Sequence, residues 1–280
     1  MLGVGLALAA SVAWGVGDFI GGAKARMLPV LVVLVCSQVI GFLWIACVAL
    51  VAQKPAPGAG DAALAALSAV AGTAGLALFF RAIAIGKMSV VVPIASLAAV
   101  VPVVVGIATG DRPSAIQLVG MLVALVGAVL ASREPDEERG AGPRLAAGVV
   151  LAGLSAFAWG WFFLAIDAAS DSGAVWASLV NRTTSLFLLL GAALLLRPRV
   201  ASARPHMPAL ALVGTLDVSA NLLFASASTK GLVSLVSVAG SLYPVVTVLL
   251  ARLVLKERVH RVQEAGVVAA LSGVVLIAAG

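Results

Sequence analysis

Long apolar runs separated by short polar stretches make up most of this chain of 280 residues. Each run approaches the roughly 20 residues that an α-helix needs to cross a hydrocarbon layer about 30 Å thick. The runs lack the alternation of apolar and polar residues that is typical of membrane β-strands, so helices are favoured. The pattern predicts ten transmembrane helices, over residues 3–23, 28–52, 62–82, 88–108, 114–132, 144–166, 173–196, 208–229, 232–253 and 260–279.

Composition points to the same class of protein. Hydrophobic residues make up 62% of the chain and charged residues 11%, and the mean hydropathy is +1.16. A soluble domain carries roughly 25% charged residues. The net charge of +6 does not indicate nucleic acid, because the Lys and Arg residues lie at the ends of the predicted helices. We therefore expect an all-α membrane protein whose partners are the lipid bilayer and a small-molecule solute, with a homodimer as the candidate assembly and no nucleic acid.

Nothing in the sequence predicts a cofactor or a metal site. Cys36 and Cys47 lie in one predicted helix, about 16 Å apart at 1.5 Å per residue, which is too far for a disulfide. Neither cysteine has the spacing of a metal ligand.

No Lys or Arg precedes Lys24, so the start of the chain is not expected to be a signal peptide. There is also no ATP-binding loop, so any driving force is expected to be a gradient.

The basic residues are distributed unequally between the two ends of the predicted helices. The odd-numbered loops hold fourteen Lys and Arg residues and the even-numbered loops hold three, while Arg182 falls inside a helix. Loops rich in Lys and Arg stay in the cytoplasm. This bias predicts a multi-pass protein of the cell (cytoplasmic or inner) membrane with both termini outside.

The chain also repeats itself at an offset of 145 residues. Ala13-Trp14-Gly15 matches Ala158-Trp159-Gly160, and Ser96-Leu97 matches Ser241-Leu242. Trp matches carry weight because the chain has only five Trp residues. We expect one five-helix repeat over residues 1–132, a charged linker over 133–143 and a second repeat over 144–280. Because five is odd, the second copy must be inverted, and inverted repeats are a recurrent transporter architecture with the solute site at the midplane.

At these positions the sequence resembles the EamA-type ten-helix members of the drug/metabolite transporter superfamily. The second repeat carries the family's residues as Trp159-Gly160, Arg182, Pro244, Glu257-Arg258, Gln263, Gly266 and Gly273. The first repeat has Trp14-Gly15, but Ser37 stands where the Arg would be, and Pro102 lies three residues beyond the position that matches Pro244. The resemblance implies export or uptake of metabolites such as amino acids. Family members are often described with cytoplasmic termini, whereas the charge distribution here predicts external ones, and we follow the charges.

Ionisable groups within the membrane are costly and are site candidates for that reason. Arg182 and Asp217 fall near mid-depth, and Asp18 lies nearer one end of its helix. A structural ion pair between Arg182 and Asp217 and a role in substrate binding or coupling are both open. The substrate-binding hypothesis covers Trp14, Gln38, Trp159, Arg182, Asp217, Asn221 and Tyr243. Asp18 and Asp217 are the candidates for proton coupling, and Pro93, Pro102 and Pro244 for helix hinges.

The resulting hypothesis is a secondary transporter, not an enzyme. It would move an amino acid or drug-like solute by alternating access, as an exporter coupled to a proton or solute gradient. The alternative is an intramembrane aspartyl protease, because Gly15-Val16-Gly17-Asp18 contains a Gly-x-Gly-Asp string and Asp217 could be its partner. A channel is disfavoured, because no ring of repeated polar residues is present.

Overall fold

The structure, a computed structural model, describes residues 2–53, 56–85, 91, 94–131, 143–243, 245–247, 250 and 261–279. Within them the chain forms ten α-helices and three short 3-10 segments, with no strand. The α-helices are α1 (Leu2–Ala25), α2 (Val30–Ala52), α3 (Ala59–Ile85), α4 (Val100–Thr109), α5 (Ala115–Ala131), α6 (Pro143–Ala169), α7 (Ala174–Leu196), α8 (Met207–Ser228), α9 (Val233–Gly240) and α10 (Arg261–Ala279). The 3-10 segments are Ser96–Ala99, Ser170–Ser172 and Val200–His206. The predicted all-α fold is confirmed.

The helices have the lengths and compositions of a multi-pass membrane protein. Six helical stretches are long and apolar enough to cross a membrane, and four shorter apolar helices accompany them. The long stretches are Leu2–Ala25, Val30–Ala52, Ala59–Ile85, Ala147–Ala169, Ala174–Leu196 and Val200–Ser228. The shorter ones are Leu97–Thr109, Ala115–Gly127, Val233–Thr247 and Glu264–Ile277. Together they correspond to the ten runs predicted from the sequence.

Apolar side chains cover the outer surface, while polar ones are buried. Val51 and Leu195 are 86% and 85% exposed, and the polar residues Gln38, Asn181 and Arg182 are each 3% exposed. A soluble protein would show the opposite distribution, because charged residues are almost never fully buried unless they are paired. The outer surface therefore suits hydrocarbon, and these polar groups lie in the interior of the bundle.

The most extensive helix contacts join helices from different repeats. Helix α1 packs on α8 and α6 packs on α3, while α2 packs on α7 and α5 on α10. The offset of 145 residues converts α1 into α6 and α8 into α3, so the first two contacts are copies of one another. This arrangement is the pseudo-two-fold symmetry expected of inverted repeats.

Contacts at the helix ends agree with helices that alternate in direction. The Lys24 Nζ lies 3.5 Å from the His206 Nδ1, which joins the first and seventh loops. At the other end, the Ser234 hydroxyl donates to the Asp111 carboxylate at 2.7 Å. Gly3, at the start of α1, lies at this second end, against the carbonyl of Lys230. The first and seventh loops therefore lie at one end of the described helix bundle, and the fourth and eighth loops lie at the other.

Glycines allow helices α5 and α10 to pack closely. A Cβ on Gly127 would collide with the backbone of Ala270, and one on Gly273 would collide with the backbone of Ala124. A Cβ on Gly120 would lie 2.8 Å from the carbonyl oxygen of Gly273. Small residues let two membrane helices approach, and these glycines lie where the fifth helices of the two repeats cross.

The fourth helix of each repeat is irregular at the same matched position. In the first repeat the 3-10 segment Ser96–Ala99 precedes α4. In the second repeat α9 ends at Gly240, and the Ser241 N–H bonds to the carbonyl of Ser237. Helical geometry resumes at Tyr243 and over residues 245–247. Because Ser96-Leu97 and Ser241-Leu242 match in the repeat, both helices are broken at equivalent points. Broken helices line solute sites in many transporters.

Some sequence predictions fall on residues that the structure does not describe. Pro93, Pro244 and the Glu257-Arg258 pair lie outside the described residues, as does the linker over 133–142. Helix α6 begins at Pro143, the last residue of the predicted linker. The predicted ninth helix, over 232–253, is described only in part.

Candidate functional site

A cavity with about 570 Å³ of empty space, part of it open to its surroundings, lies between the two repeats. Its wall draws on α1, α2 and α3 of the first repeat and on α6, α7 and α8 of the second. The lining residues are Trp14, Asp18, Gln38, Gly72, Thr73, Leu76, Trp159, Phe162, Phe163, Asn181, Arg182, Ser185, Asp217, Asn221 and Tyr243. All seven residues of the substrate-binding hypothesis are among them, together with Asp18. Their role in binding remains a prediction, but their convergence on one cavity is a property of the fold.

An ion pair crosses one wall of this cavity. The Arg182 Nη2 lies 2.9 Å from the Asp217 Oδ2, which joins α7 to α8. The second terminal nitrogen, Nη1, donates to the amide oxygen of Gln38 on α2. The side chain of Arg182 is 4% exposed and that of Asp217 is 22% exposed. Because a buried charge needs a partner and hydrogen bonds, Asp217 and Gln38 account for the presence of an arginine inside the bundle.

Two tryptophans occupy symmetric positions in the cavity wall. Trp14 lies 5.7 Å from the ring of Phe224, and Trp159 lies 5.0 Å from the ring of Phe79, measured between ring centroids. The offset of 145 residues converts Trp14 into Trp159 and Phe79 into Phe224, so each tryptophan packs on the third helix of the other repeat. Tyr243 breaks this symmetry, because its ring lies 5.9 Å from Trp159.

The glycine that follows each tryptophan explains the Trp-Gly motif. A Cβ on Gly15 would lie 2.6 Å from the Val246 Cβ and 2.7 Å from the Tyr243 carbonyl oxygen. A Cβ on Gly160 would lie 2.5 Å from the Cβ of Val101, one of the repeat-equivalent neighbours. Each glycine therefore lets the first helix of one repeat pass close to the broken fourth helix of the other, while the adjacent tryptophan lines the cavity.

Asp18 lies beside the ion pair. It lines the cavity and also a smaller adjoining pocket, which Asp217 and Ser37 line too. The carboxylates of Asp18 and Asp217 are close enough to repel each other. The two aspartates of the protease hypothesis therefore share a cavity, but the salt bridge to Arg182 already occupies Asp217. A protease dyad needs its two carboxyl groups to share a proton, and this ion pair disfavours that arrangement.

Asn181 and Asn221 are amides within predicted helices, for which the sequence leaves a helix contact and a solute contact open, and both line the cavity. The Asn181 Nδ2 donates to the Ser68 hydroxyl at 2.8 Å, which joins α7 to α3. Asn221 lines the cavity from α8 and is 7% exposed. Of the predicted hinges, only Pro102 is described, and it lies buried in the first turn of α4. Its function as a hinge stays a prediction.

Sequence reasoning missed six lining residues. Gly72 matches Asp217 in the repeat, and Phe163 matches Asp18, so applying the offset to the two aspartates would have located both. Thr73 and Ser185 carried no such signal. They form a hydrogen bond of 2.8 Å between α3 and α7. The others are Leu76 and Phe162.

In the part of the chain that the structure describes, no group of three or more His, Cys, Asp or Glu residues is placed to hold a metal ion. The described residues that line the cavity supply one cation, two carboxylates, amides, hydroxyls and aromatic rings. Cavities of this kind orient a small molecule with a few polar groups against an apolar wall.

Comparisons with known proteins agree with this geometry. No curated protein matches the chain. A crystal structure of a protein with 14% identity covers 98% of this chain and 95% of its own, with a TM-score of 0.79. At that identity the likeness shows the fold alone. Residues 1–133 and 146–279 each match the family described as the EamA-like transporter family. The two matches coincide with the two halves of the duplicated sequence, and the chain therefore belongs to the EamA-like transporter family.

Proposed function

We propose that this protein is a secondary transporter that exports a small metabolite, an amino acid or a drug-like solute, by alternating access. The observation that supports the proposal is the position of the cavity. It lies between inverted repeats, at the depth where the repeats' tryptophans and a buried ion pair meet. Inverted repeats allow two related packings, each open to one side of the membrane. Rocking of one repeat against the other would then carry a solute across.

The driving force we propose is a proton or solute gradient. Asp18 and Asp217 both line the cavity, so either carboxyl group could exchange a proton while a solute is bound. The ion pair between Arg182 and Asp217 would serve as a gate, broken in one state and formed in the other.

The cavity has the features of a binding site, and we propose transport without catalysis. A homodimer is the assembly that we propose to test by mass measurement in detergent.

Counterflow in proteoliposomes tests transport directly. Purified full-length protein would be reconstituted with an unlabelled solute inside, and uptake of the same labelled solute measured for amino acids, amines and cationic drugs. We expect transient accumulation that depends on the protein and falls in Asp217→Asn. A membrane peptide would be assayed for cleavage in parallel. Cleavage that is lost with Asp18→Asn and Asp217→Asn, with no counterflow of any solute, would establish the protease alternative instead.

We also propose that both termini face outward from the cytoplasmic membrane, as the excess of Lys and Arg in the odd-numbered loops indicates. Asp171 is exposed at the even end of the bundle and Arg199 at the odd end. Single cysteines at these positions, in a chain with Cys36 and Cys47 replaced by alanine, would be treated with an impermeant maleimide in intact cells. We expect labelling at position 171 and protection at 199, and the reverse pattern would show that the termini are cytoplasmic.

A further inference from the structure

The charges that line the cavity do not balance. Among the described lining residues the charged side chains are Asp18, Arg182 and Asp217. Arg182 and Asp217 neutralise each other through their 2.9 Å ion pair. One carboxylate, that of Asp18, is left over. The cavity as a whole therefore has an excess of one negative charge, which a bound solute or a proton must offset.

The positive charge of Arg182 is already paired with a carboxylate of the protein. Its Nη2 is paired with Asp217, and its Nη1 donates to Gln38. Its remaining nitrogen, Nε, is buried and has no hydrogen-bond partner among the described residues. A carboxylate beside the guanidinium would compete with Asp217 for the one positive charge among the described lining residues. It would also face Asp18, whose like charge disfavours it.

Asp18, unlike Arg182, has no charged partner among the described residues. It faces both the cavity and the adjoining pocket, and it is only partly buried. Within the described residues it forms no hydrogen bond or ion pair, and its electrostatic neighbours are the Asp217 carboxyl and the Tyr243 hydroxyl. That hydroxyl is itself buried without a hydrogen-bond partner in the described part of the chain. An unpaired carboxylate and an unpaired hydroxyl offer two acceptor groups to a donor that the described part of the protein does not supply.

Five aromatic side chains line the same cavity as Asp18: Trp14, Trp159, Phe162, Phe163 and Tyr243. Trp14, on the same helix, has ring-centroid distances of 6.3 Å to Phe162 and 5.9 Å to Phe163. Trp159 lies beside Tyr243, with 5.9 Å between their ring centroids. The face of an aromatic ring attracts a cation, and the attraction grows when the cation is removed from water. The wall thus combines a carboxylate with ring faces, both of which favour positive charge.

From these observations we propose that the cavity recognises a solute by a protonated amine, with the Asp18 carboxylate as its counter-ion and the aromatic wall around its organic part. The proposal rests on the transport function proposed above and narrows the solute class to small organic amines. Tyr243 would accept a second hydrogen bond from the ammonium group. The ion pair of Arg182 with Asp217 would stay intact during this recognition.

Three matched probes test the assignment. They share one aromatic ring and differ in charge: 2-phenylethylamine is a cation, 2-phenylethanol is neutral and 3-phenylpropanoate is an anion. Binding of labelled 2-phenylethylamine to purified full-length protein would be measured in lipid nanodiscs, with the other two as competitors. We expect the amine to bind and 3-phenylpropanoate not to displace it. Loss of a charge-assisted hydrogen bond predicts roughly 10- to 100-fold weaker amine binding in Asp18→Asn.

Two further variants separate recognition from folding. Asp18→Glu keeps the carboxylate and should retain most of the affinity, whereas Asp171→Asn makes the same chemical change at an exposed site and should leave binding unchanged. Size-exclusion chromatography and thermal unfolding would show whether each variant is folded. If Asp18→Asn does not fold, Asp18→Glu and the competition between the three probes still decide the question.

The outcomes distinguish this proposal from the transport function. Unchanged amine affinity in folded Asp18→Asn, competition by 3-phenylpropanoate equal to that of the amine, or no amine binding at all would overturn the amine assignment. Counterflow of other solutes would then leave the transporter proposal standing. Amine binding that depends on Asp18, without counterflow of any solute, would support the site and contradict transport.

Discussion

Substituting Gly160 by alanine should destabilise the protein, whereas the same change at Gly153 should not. Both glycines lie well inside α6. A Cβ on Gly160 would lie 2.5 Å from the Val101 Cβ and 2.9 Å from the carbonyl oxygen of Ala98, while one on Gly153 would have no atom within 4 Å. Two carbons at 2.5 Å are far inside their optimal separation of roughly 3.5–4.0 Å. Since a backbone atom is one of the neighbours, the helices themselves must move apart.

The magnitude follows from comparing the two variants. Alanine is favoured over glycine in a helix interior by roughly 1 kcal/mol, and this gain is common to both positions. Overpacking of a closely packed site costs roughly 1–3 kcal/mol. Gly160→Ala should therefore have a free energy of unfolding about 1–3 kcal/mol below that of Gly153→Ala. Displacement of α6 would also move the neighbouring Trp159, so solute affinity should fall along with stability.

Unfolding by SDS in mixed micelles, followed by circular dichroism, measures this difference. The first repeat provides a second trial, because Gly15, which matches Gly160, is crowded by Val246 and Tyr243, while a Cβ on Gly5 of the same helix would have no atom within 4 Å. Equal stability of Gly160→Ala and Gly153→Ala would refute the idea that the Trp-Gly glycine is required for the close crossing.

Two further predictions concern the cavity itself. Replacing Arg182 by Gln or Asp217 by Asn should each lower the free energy of unfolding by about 3–5 kcal/mol, because a buried partner is left unpaired. The double variant should lose less than the sum in a double-mutant cycle, and strict additivity would show that the two residues are not coupled. Trp159→Ala should weaken solute binding roughly 2- to 30-fold through loss of one ring contact. Trp161→Ala should bind solute like the wild type in the same assay, since Trp161 is 48% exposed on the outer surface, and equal losses in the two variants would contradict a role for Trp159 in the cavity wall.

The fold was predictable because the strongest signal in a membrane sequence, the long apolar run, is local. Runs of roughly 20 apolar residues locate helices without reference to the rest of the chain. The repeat offset then relates the two halves, and it correctly matched the broken segments at Ser96 and Ser241. The offset does not predict which helices pack against each other. That Gly15 packs on Val246, in the other repeat, depends on how two inverted halves interlock.

The candidate site was predictable to a similar extent and for a different reason. Charged and aromatic residues are rare enough within these helices to stand out, and Arg182, Asp217 and Trp14 do converge on one cavity. Residues such as Thr73 gave no indication, because hydroxyl side chains are frequent at every helix contact. The hydrogen bond from Arg182 to Gln38 could not be predicted either, since it depends on how Gln38 is placed by another helix.

The helices of each repeat pack mainly on helices of the other repeat, and this affects how the protein folds during synthesis. While the ribosome is still extending the chain, α1 and α3 enter the membrane before α8 and α6 exist, so the first half must wait in lipid with its crossing surfaces uncovered. Neither half has a complete interior of its own, and yet each offers the other a matching set of glycines and tryptophans. Two separate polypeptides of residues 1–132 and 144–280 should therefore assemble when co-expressed, as two subunits inserted in opposite directions would have done before a duplication and fusion joined them.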